Sequence, residues 1–393
     1  MKTSILFAMR YGDDVGFVWN TIARVRDLAA GFLQDDYDCY VAYPRLTGQP
    51  AQSLQNLQRI ELDCYDMGEA GLARLQAQVA EKRVTVLVYM SALPSTLKLD
   101  RLRAMGLRTV NTENDSFDHR ERDPMHKAAI KLVWRRWLHR QLHDVHIANA
   151  RSQARYLLEH YKLPQDHLCT VVNGVDCDRF RPADTAQAEP APTLPAERLW
   201  LLSVGQARSE KRVEWTIRAV QRLRAEFPHL PFGFAYLGDG PELPRWRGLV
   251  EQAGLQDDVV FLGAHGDTAP FYRSAALLVH AAQRESFGLA VVEAMASGLP
   301  VVATAAAGPS ETIEQDVTGT LVGLSDEEAY YRAIVRYLQS PELRRRHGAK
   351  GRERALALYS INRQAREYAE VIRRCDAARR PAQAPAQPSR AAA

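Results

Sequence analysis

Short apolar runs of strand length recur through this chain and alternate with stretches of helical period. Runs at 5–9, 39–43, 84–89, 108–111, 145–149 and 168–172 fall in the first half, and runs at 199–204, 232–237, 259–263, 277–280 and 301–303 in the second. Strands apolar on both faces need cover on both, and helices placed between them supply it, so the pattern predicts α/β architecture with parallel sheets. In such sheets ligands sit beyond the carboxyl ends of the strands. The turns that follow several runs carry glycine: Gly12 and Gly16, Gly205, Gly238 and Gly240. At 393 residues the chain exceeds one ordinary core and fits two domains.

Composition narrows the class. Hydrophobic residues make up 46% and charged residues 25%, as in a globular protein. The net charge of +4 is too small to argue for a nucleic-acid partner, and none is expected. Cys39, Cys64, Cys169, Cys177 and Cys375 form no C-x-x-C pair and no zinc spacing, which fits reduced thiols in the cytoplasm. The opening apolar run stops at Arg10, short of a signal peptide, and no run reaches membrane-span length. The expectation is a cytoplasmic protein that at most lies on a membrane face.

Chemistry concentrates in residues 283–311. Glu285 and Glu293 bracket Ser286, Phe287, Gly288 and Leu289, and a helical pattern begins around the second carboxylate. A loop entering a helix N-terminus presents unpaired N–H groups and the positive dipole end, which suits a diphosphate. Glycine at 288 lets the backbone approach closely. Each carboxylate alone also fits a plain dipole-complementing role.

In order, an acidic residue, Phe-Gly-Leu, a second acidic residue, Ala-Met-Ala, Gly-x-Pro-Val-Val and Gly-Pro-Ser-Glu resemble the E-x7-E signature of the retaining glycosyltransferases of family 4. The resemblance implies the GT-B fold, two Rossmann-like domains facing a cleft, and transfer of a sugar from a nucleotide-diphosphate sugar to a glycan or lipid-linked acceptor. Glu285 would contact the transferred sugar and Glu293 the ribose. The Phe287, Gly288 and Leu289 amides and Lys211 would hold the diphosphate. The family's G-R-x-x-x-x-K matches at Gly205 and Lys211, but Gln206 stands where the arginine is usual, leaving Arg208 to supply that charge. Gly238 opens a turn like the family's G-x-G-P, and Gly16 loosely matches the first glycine turn of the N-domain. Near residues 112–116, where the family places a histidine, Asn114 takes its place and His119 follows, so both are candidate helpers. Neither a resident cofactor nor a metal is expected, since no D-x-D lies in a metal-type loop. A GT-B epimerase or phosphorylase, and a non-catalytic nucleotide-sugar-binding protein, are the alternative readings.

The same resemblance divides the chain. Residues 1–172 would bind acceptor, 173–197 form a hinge opening on Asn173-Gly174-Val175-Asp176, and 198–355 bind donor. Residues 356–378 would cross back onto the first domain, and the Ala- and Pro-rich 379–393 would form a disordered tail. The segment 126–140 has a helical stripe with Trp134 and Trp137 flanked by Lys and Arg; it fits either peripheral contact with anionic lipid or an ordinary core helix.

Overall fold

The computed structural model describes residues 2–15, 18–91, 97–113, 142–182, 191 and 193–378, the side chains of 18–20 excepted. Gly16, Asn114, His119, the segment 126–140 and the tail from 379 lie outside the described residues.

The first sheet contains β1 (Thr3–Ala8), β2 (Tyr37–Tyr43), β3 (Gln58–Glu61), β4 (Val84–Met90), β5 (Arg108–Glu113), β6 (Val145–Ala148) and β7 (Leu168–Thr170), with α1 (Val18–Leu33), α2 (Glu69–Lys82), α3 (Leu99–Ala104) and α4 (Arg151–His160) between them. Its order is β3-β2-β1-β4-β5-β6-β7, and all pairings are parallel. The second sheet contains β8 (Leu199–Val204), β9 (Phe232–Leu237), β10 (Val259–Gly263), β11 (Ala275–His280), β12 (Val301–Thr304) and β13 (Gly319–Val322). It is again all parallel, in the order β10-β9-β8-β11-β12-β13. Its helices are α5 (Val213–Glu226), α6 (Leu243–Gln252), α7 (Ala269–Ser274), α8 (Leu289–Ala296), α9 (Ala307–Thr312), α10 (Glu327–Gln339) and α11 (Pro341–Leu358), and α12 (Ile361–Ala377) closes the described chain.

Alternation along each strand explains the double cover. In β9, Phe232, Phe234 and Tyr236 enter one core with Trp246 and Tyr330, while Ala235 and Leu237 enter another with Val291 and Met295. In β4, Val86 and Val88 face α1 and α12 residues such as Ala29 and Ile372, while Leu87 and Tyr89 face Leu75 and Leu102. A period of two along a strand must split its side chains between faces, so each sheet holds two cores.

The chain passes between the sheets along paired segments. Val175 N–H donates to Tyr359 O at 2.8 Å, and Ile361 N–H donates to Val175 O at 2.9 Å. Gln364 fastens the pair: its Oε1 accepts from Gly174 N–H at 2.8 Å and its Nε2 donates to Asn173 Oδ1 at 3.0 Å. Helix α12 then buries Ala365, Tyr368, Ile372 and Cys375 in the core of the first sheet.

Sequence patterning does not mark β3 or β13. Both are outer strands, and β3 reads Gln-Arg-Ile-Glu with no apolar run to signal it.

Candidate active site

The order of the second sheet reverses between β8 and β11, whose succeeding loops must diverge to opposite faces. That divergence opens a crevice at the carboxyl ends. The β8 loop carries Gly205 to Lys211, and the β11 loop carries Glu285. Gln283 N–H donates to Glu210 O at 2.8 Å and ties the two loops together. Across this tie Lys211 Nζ meets Glu285 Oε2 at 2.5 Å, with side chains only 21% and 16% exposed. His280 Nε2, at the end of β11, lies 3.3 Å from the same oxygen without the alignment of a full hydrogen bond.

These neighbours set the ionisation. Burial pushes the Glu285 carboxyl upward, but the Lys211 charge and the nearby imidazole outweigh it and hold the acid well below the usual range. His280 is held below its ordinary value, first by burial and also by the Lys211 charge, with Glu285 pulling the other way. The cluster is a carboxylate, an ammonium and a neutral imidazole. Among the described residues Glu285 Oε1 has no partner.

The loop after Glu285 is braced from below. Gly308 N–H donates to Glu285 O at 2.8 Å, and a Cβ at Gly308 would stand 2.4 Å from the Phe287 carbonyl carbon, so only glycine fits under this loop. The Phe287 ring is buried in the core against Tyr359, which leaves only its backbone for a ligand. Gly288 caps α8 with φ of 83°, and the first N–H groups of α8 have no intrahelical acceptor. Gly238 meets the β8 loop so closely that a Cβ would overlap Gly205 O at 1.8 Å.

A cavity of ≈ 250 Å³ lies between the two sheets. Gly205, Gln206, Gly238, Leu289, Ala290 and Glu293 line it from the second sheet, Thr21, Arg24 and Gln52 from the first, and Asp176 and Arg179 from the hinge. Arg24 pairs with Asp176 at 2.6 Å across the mouth. Glu293 receives the Tyr272 hydroxyl on Oε2 at 2.7 Å. Burial raises the Glu293 acid, while the Tyr272 hydrogen bond and the Arg179 charge partly offset that.

Of the residues singled out from sequence, Gly205, Gly238, Leu289 and Glu293 therefore share one cavity. Lys211 and Glu285 border it without lining it: a Cβ at Gly205 would touch Lys211 Cε at 3.6 Å, and one at Gly288 would touch Glu285 Cγ at 3.4 Å. Arg208 is exposed and lines no part of this cavity. Sequence reasoning missed His280, Tyr272, Arg24 and Arg179. The available signals were a histidine closing a buried strand and an arginine within the hinge motif.

The profile described as "Glycosyl transferases group 1" matches residues 184–354, and that described as "Glycosyltransferase Family 4" matches residues 23–179. The chain belongs to glycosyltransferase family 4. Its fold is GT-B, as in sucrose-phosphate synthase from Thermosynechococcus elongatus, with a TM-score of 0.75, 22% identity and coverage of 96% of this chain and 100% of that one. Anabaena Alr3699/HepE in complex with UDP-glucose superposes with a TM-score of 0.72 at 17% identity, covering 94% of this chain and 99% of the other. In sequence, this family member is 35% identical over 213 residues to D-inositol 3-phosphate glycosyltransferase of Streptomyces scabiei (strain 87.22), covering 52% of this chain and 48% of that protein. It is 30% identical over 237 residues to the lipopolysaccharide core biosynthesis mannosyltransferase LpcC of Rhizobium leguminosarum bv. viciae, covering 59% and 65%. The chain thus spans about half the length of the first of these relatives.

Proposed function

We propose that this family 4 member is a retaining glycosyltransferase that moves a sugar from a nucleotide-diphosphate sugar to a glycan or lipid-linked acceptor in cell-surface polysaccharide or glycolipid synthesis. The observation that carries the reading is the Lys211–Glu285 pair at the strand reversal, beside the cavity that holds Glu293. The donor's nucleoside would lie along Gly238 and Arg179 with its ribose hydroxyls on Glu293, whose Oε1 is not engaged by Tyr272. Its diphosphate would lie over Gly205 and the N–H groups that open α8. Lys211 has three N–H donors and directs one at Glu285, so it shares its charge with the leaving phosphate without giving up the pair. Glu285, ionised by its neighbours, accepts from hydroxyls of the transferred sugar. Fixed dipoles and a cation aimed at the departing diphosphate supply the main rate effect.

A relative named for lipopolysaccharide core supports an acceptor of this class, and a structural neighbour in complex with UDP-glucose supports a nucleotide-sugar donor. The reading requires no resident metal or cofactor, so activity is expected to persist in excess chelator. Among the described residues no helix is long and apolar enough to cross a membrane. We place the work in the cytoplasm, at most in peripheral contact with the inner face of the membrane, which vesicle co-sedimentation at low and high salt would test. The deciding experiment is a panel of nucleotide sugars scored for binding and for slow hydrolysis without acceptor. Hydrolysis by the native chain that Glu285→Ala abolishes supports an enzyme, whereas binding without turnover of any donor means a non-catalytic binding protein.

A further inference from the structure

A second, smaller cavity of ≈ 110 Å³ adjoins the first and shares Thr21 and Leu289 with it. Its polar lining includes Arg26 on α1, Glu113 at the end of β5 and Asn149 after β6, together with Asn173 and Gln364 of the paired segments, which bond to each other. Arg26 is 1% exposed, donates Nη1 to Ala8 O at 2.9 Å and to Met9 Sδ at 3.0 Å, and leaves Nε and Nη2 without a hydrogen bond of regular geometry. Among the described residues no carboxylate lies within ion-pairing distance of it. Asn149 Oδ1 is likewise buried and unpaired. Glu113 is held firmly on one oxygen, where Oε1 receives Asn111 Nδ2 at 2.6 Å and lies 3.1 Å from His146 Nδ1. Among the described residues Oε2 has no partner.

Buried polar atoms are rarely left unpaired, and an unmatched buried guanidinium is destabilising. Donors on Arg26, with no regular hydrogen bond beyond the nearby Tyr368 hydroxyl, and free acceptors on Glu113 and Asn149 around one small space are what a ligand of alternating donors and acceptors would satisfy. We propose that this cavity is a subsite for an uncharged polyol ring of the acceptor, with Glu113 Oε2 and Asn149 Oδ1 accepting from its hydroxyls and Arg26 donating to them. An anionic group is disfavoured because it would face the Glu113 carboxylate. Ile22, Ile147, Val171 and Tyr368 offer apolar surface to the C–H face of such a ring. Leu289, common to both cavities, places the ring next to the donor. Glu113 is then a substrate-contacting carboxylate one residue before Asn114, the position that sequence reasoning chose.

The inference rests on the transferase reading but is tested apart from it. Saturation-transfer NMR on the full chain, with glucose, galactose, mannose, myo-inositol and inorganic phosphate as probes, reads binding of the rings directly, and phosphorus relaxation does the same for phosphate. Binding of at least one neutral ring is expected, weakened about tenfold in Glu113→Gln and in Arg26→Lys, the effect of removing one charged hydrogen bond. The nucleotide-sugar KM in acceptor-free hydrolysis should move less than about twofold. Thermal unfolding confirms that both variants fold. Binding of no neutral ring, or ring binding unaltered in both folded variants, overturns the proposal. Phosphate binding that disappears in Arg26→Lys and persists in Lys211→Ala overturns the choice of a neutral ring. A native chain that hydrolyses no nucleotide sugar yet binds a ring through Glu113 would sink the transferase reading and leave this subsite standing.

Discussion

Lys211 Nζ lies 2.5 Å from Glu285 Oε2, although 74 residues separate them in sequence. Sequence alone makes each a candidate for touching the ligand; the fold makes each also the other's counter-ion. Replacing Lys211 therefore has two effects. Lys211→Ala should lower turnover about 10²-fold, because the cation beside the leaving phosphate is then lost. It should also destabilise the protein by an amount between the ~1 kcal/mol of an exposed pair and the ~3 kcal/mol of a buried one, because Glu285 keeps only His280. Initial rates and urea unfolding measure the two separately. Unchanged turnover removes Lys211 from the diphosphate.

The same cluster predicts an acid limb in stability. Glu285 is depressed in the folded state, so between its folded and unfolded values the unfolded chain binds the extra proton and stability rises with pH. His280 is also depressed, and its contribution has the same sign in a higher window. Stability should thus decline as pH falls below the imidazole's ordinary 6.5, and more steeply below the carboxyl's ordinary 4.5. Glu293, raised by burial, adds a smaller slope of opposite sign above 4.5. Unfolding free energies of native and Glu285→Gln proteins across this range should differ in slope below pH 4.5, where the variant is flatter. Parallel curves would mean that Glu285 carries no such linkage.

Nucleotide affinity should titrate with Glu293. Its ionised form accepts from ribose hydroxyls more strongly than the acid, which keeps an acceptor oxygen but loses the charge, so affinity is full above its raised value and weakens below it. The Tyr272 hydrogen bond lowers that value, so Tyr272→Phe should move the midpoint to higher pH. Calorimetric titration with the cognate nucleotide at several pH values checks both. An affinity independent of pH would take Glu293 off the ribose.

Gln206 lines the cavity while Arg208 is exposed outside it. Gln206→Arg would place a second cation where the diphosphate is expected, and one charge-assisted hydrogen bond is worth about tenfold in donor affinity. A lower KM for the donor is the expected result. A higher one would show that the cavity excludes charge at this position.

Glu311 on α9 accepts the N–H groups of Arg151, at 3.0 Å, and Ser152, and so caps α4 from the opposite domain. No side chain of α4's own N-cap does this. Glu311→Ala should cost about 1 kcal/mol, the usual worth of a cap, and speed amide exchange at Arg151 and Ser152. Exchange unchanged at both amides would exclude the cap.

The sequence by itself determined the parallel α/β architecture, the two domains' worth of strands and the order of the donor-side motifs. These rest on local patterns: runs such as 232–237 are apolar at every position, and Glu285, Gly288 and Glu293 share one short segment. The outer strand β3 escaped, because it is exposed along much of its length and needs no apolar run. Tertiary structure decided what the motifs meet. Strand order brings Lys211 beside Glu285, a buried tyrosine from α7 holds Glu293, and the end of β5 presents Glu113 to a cavity whose opposite wall is α8. Such pairings depend on how strands separated in sequence lie side by side, and the spacing of residues along one chain carries no record of that.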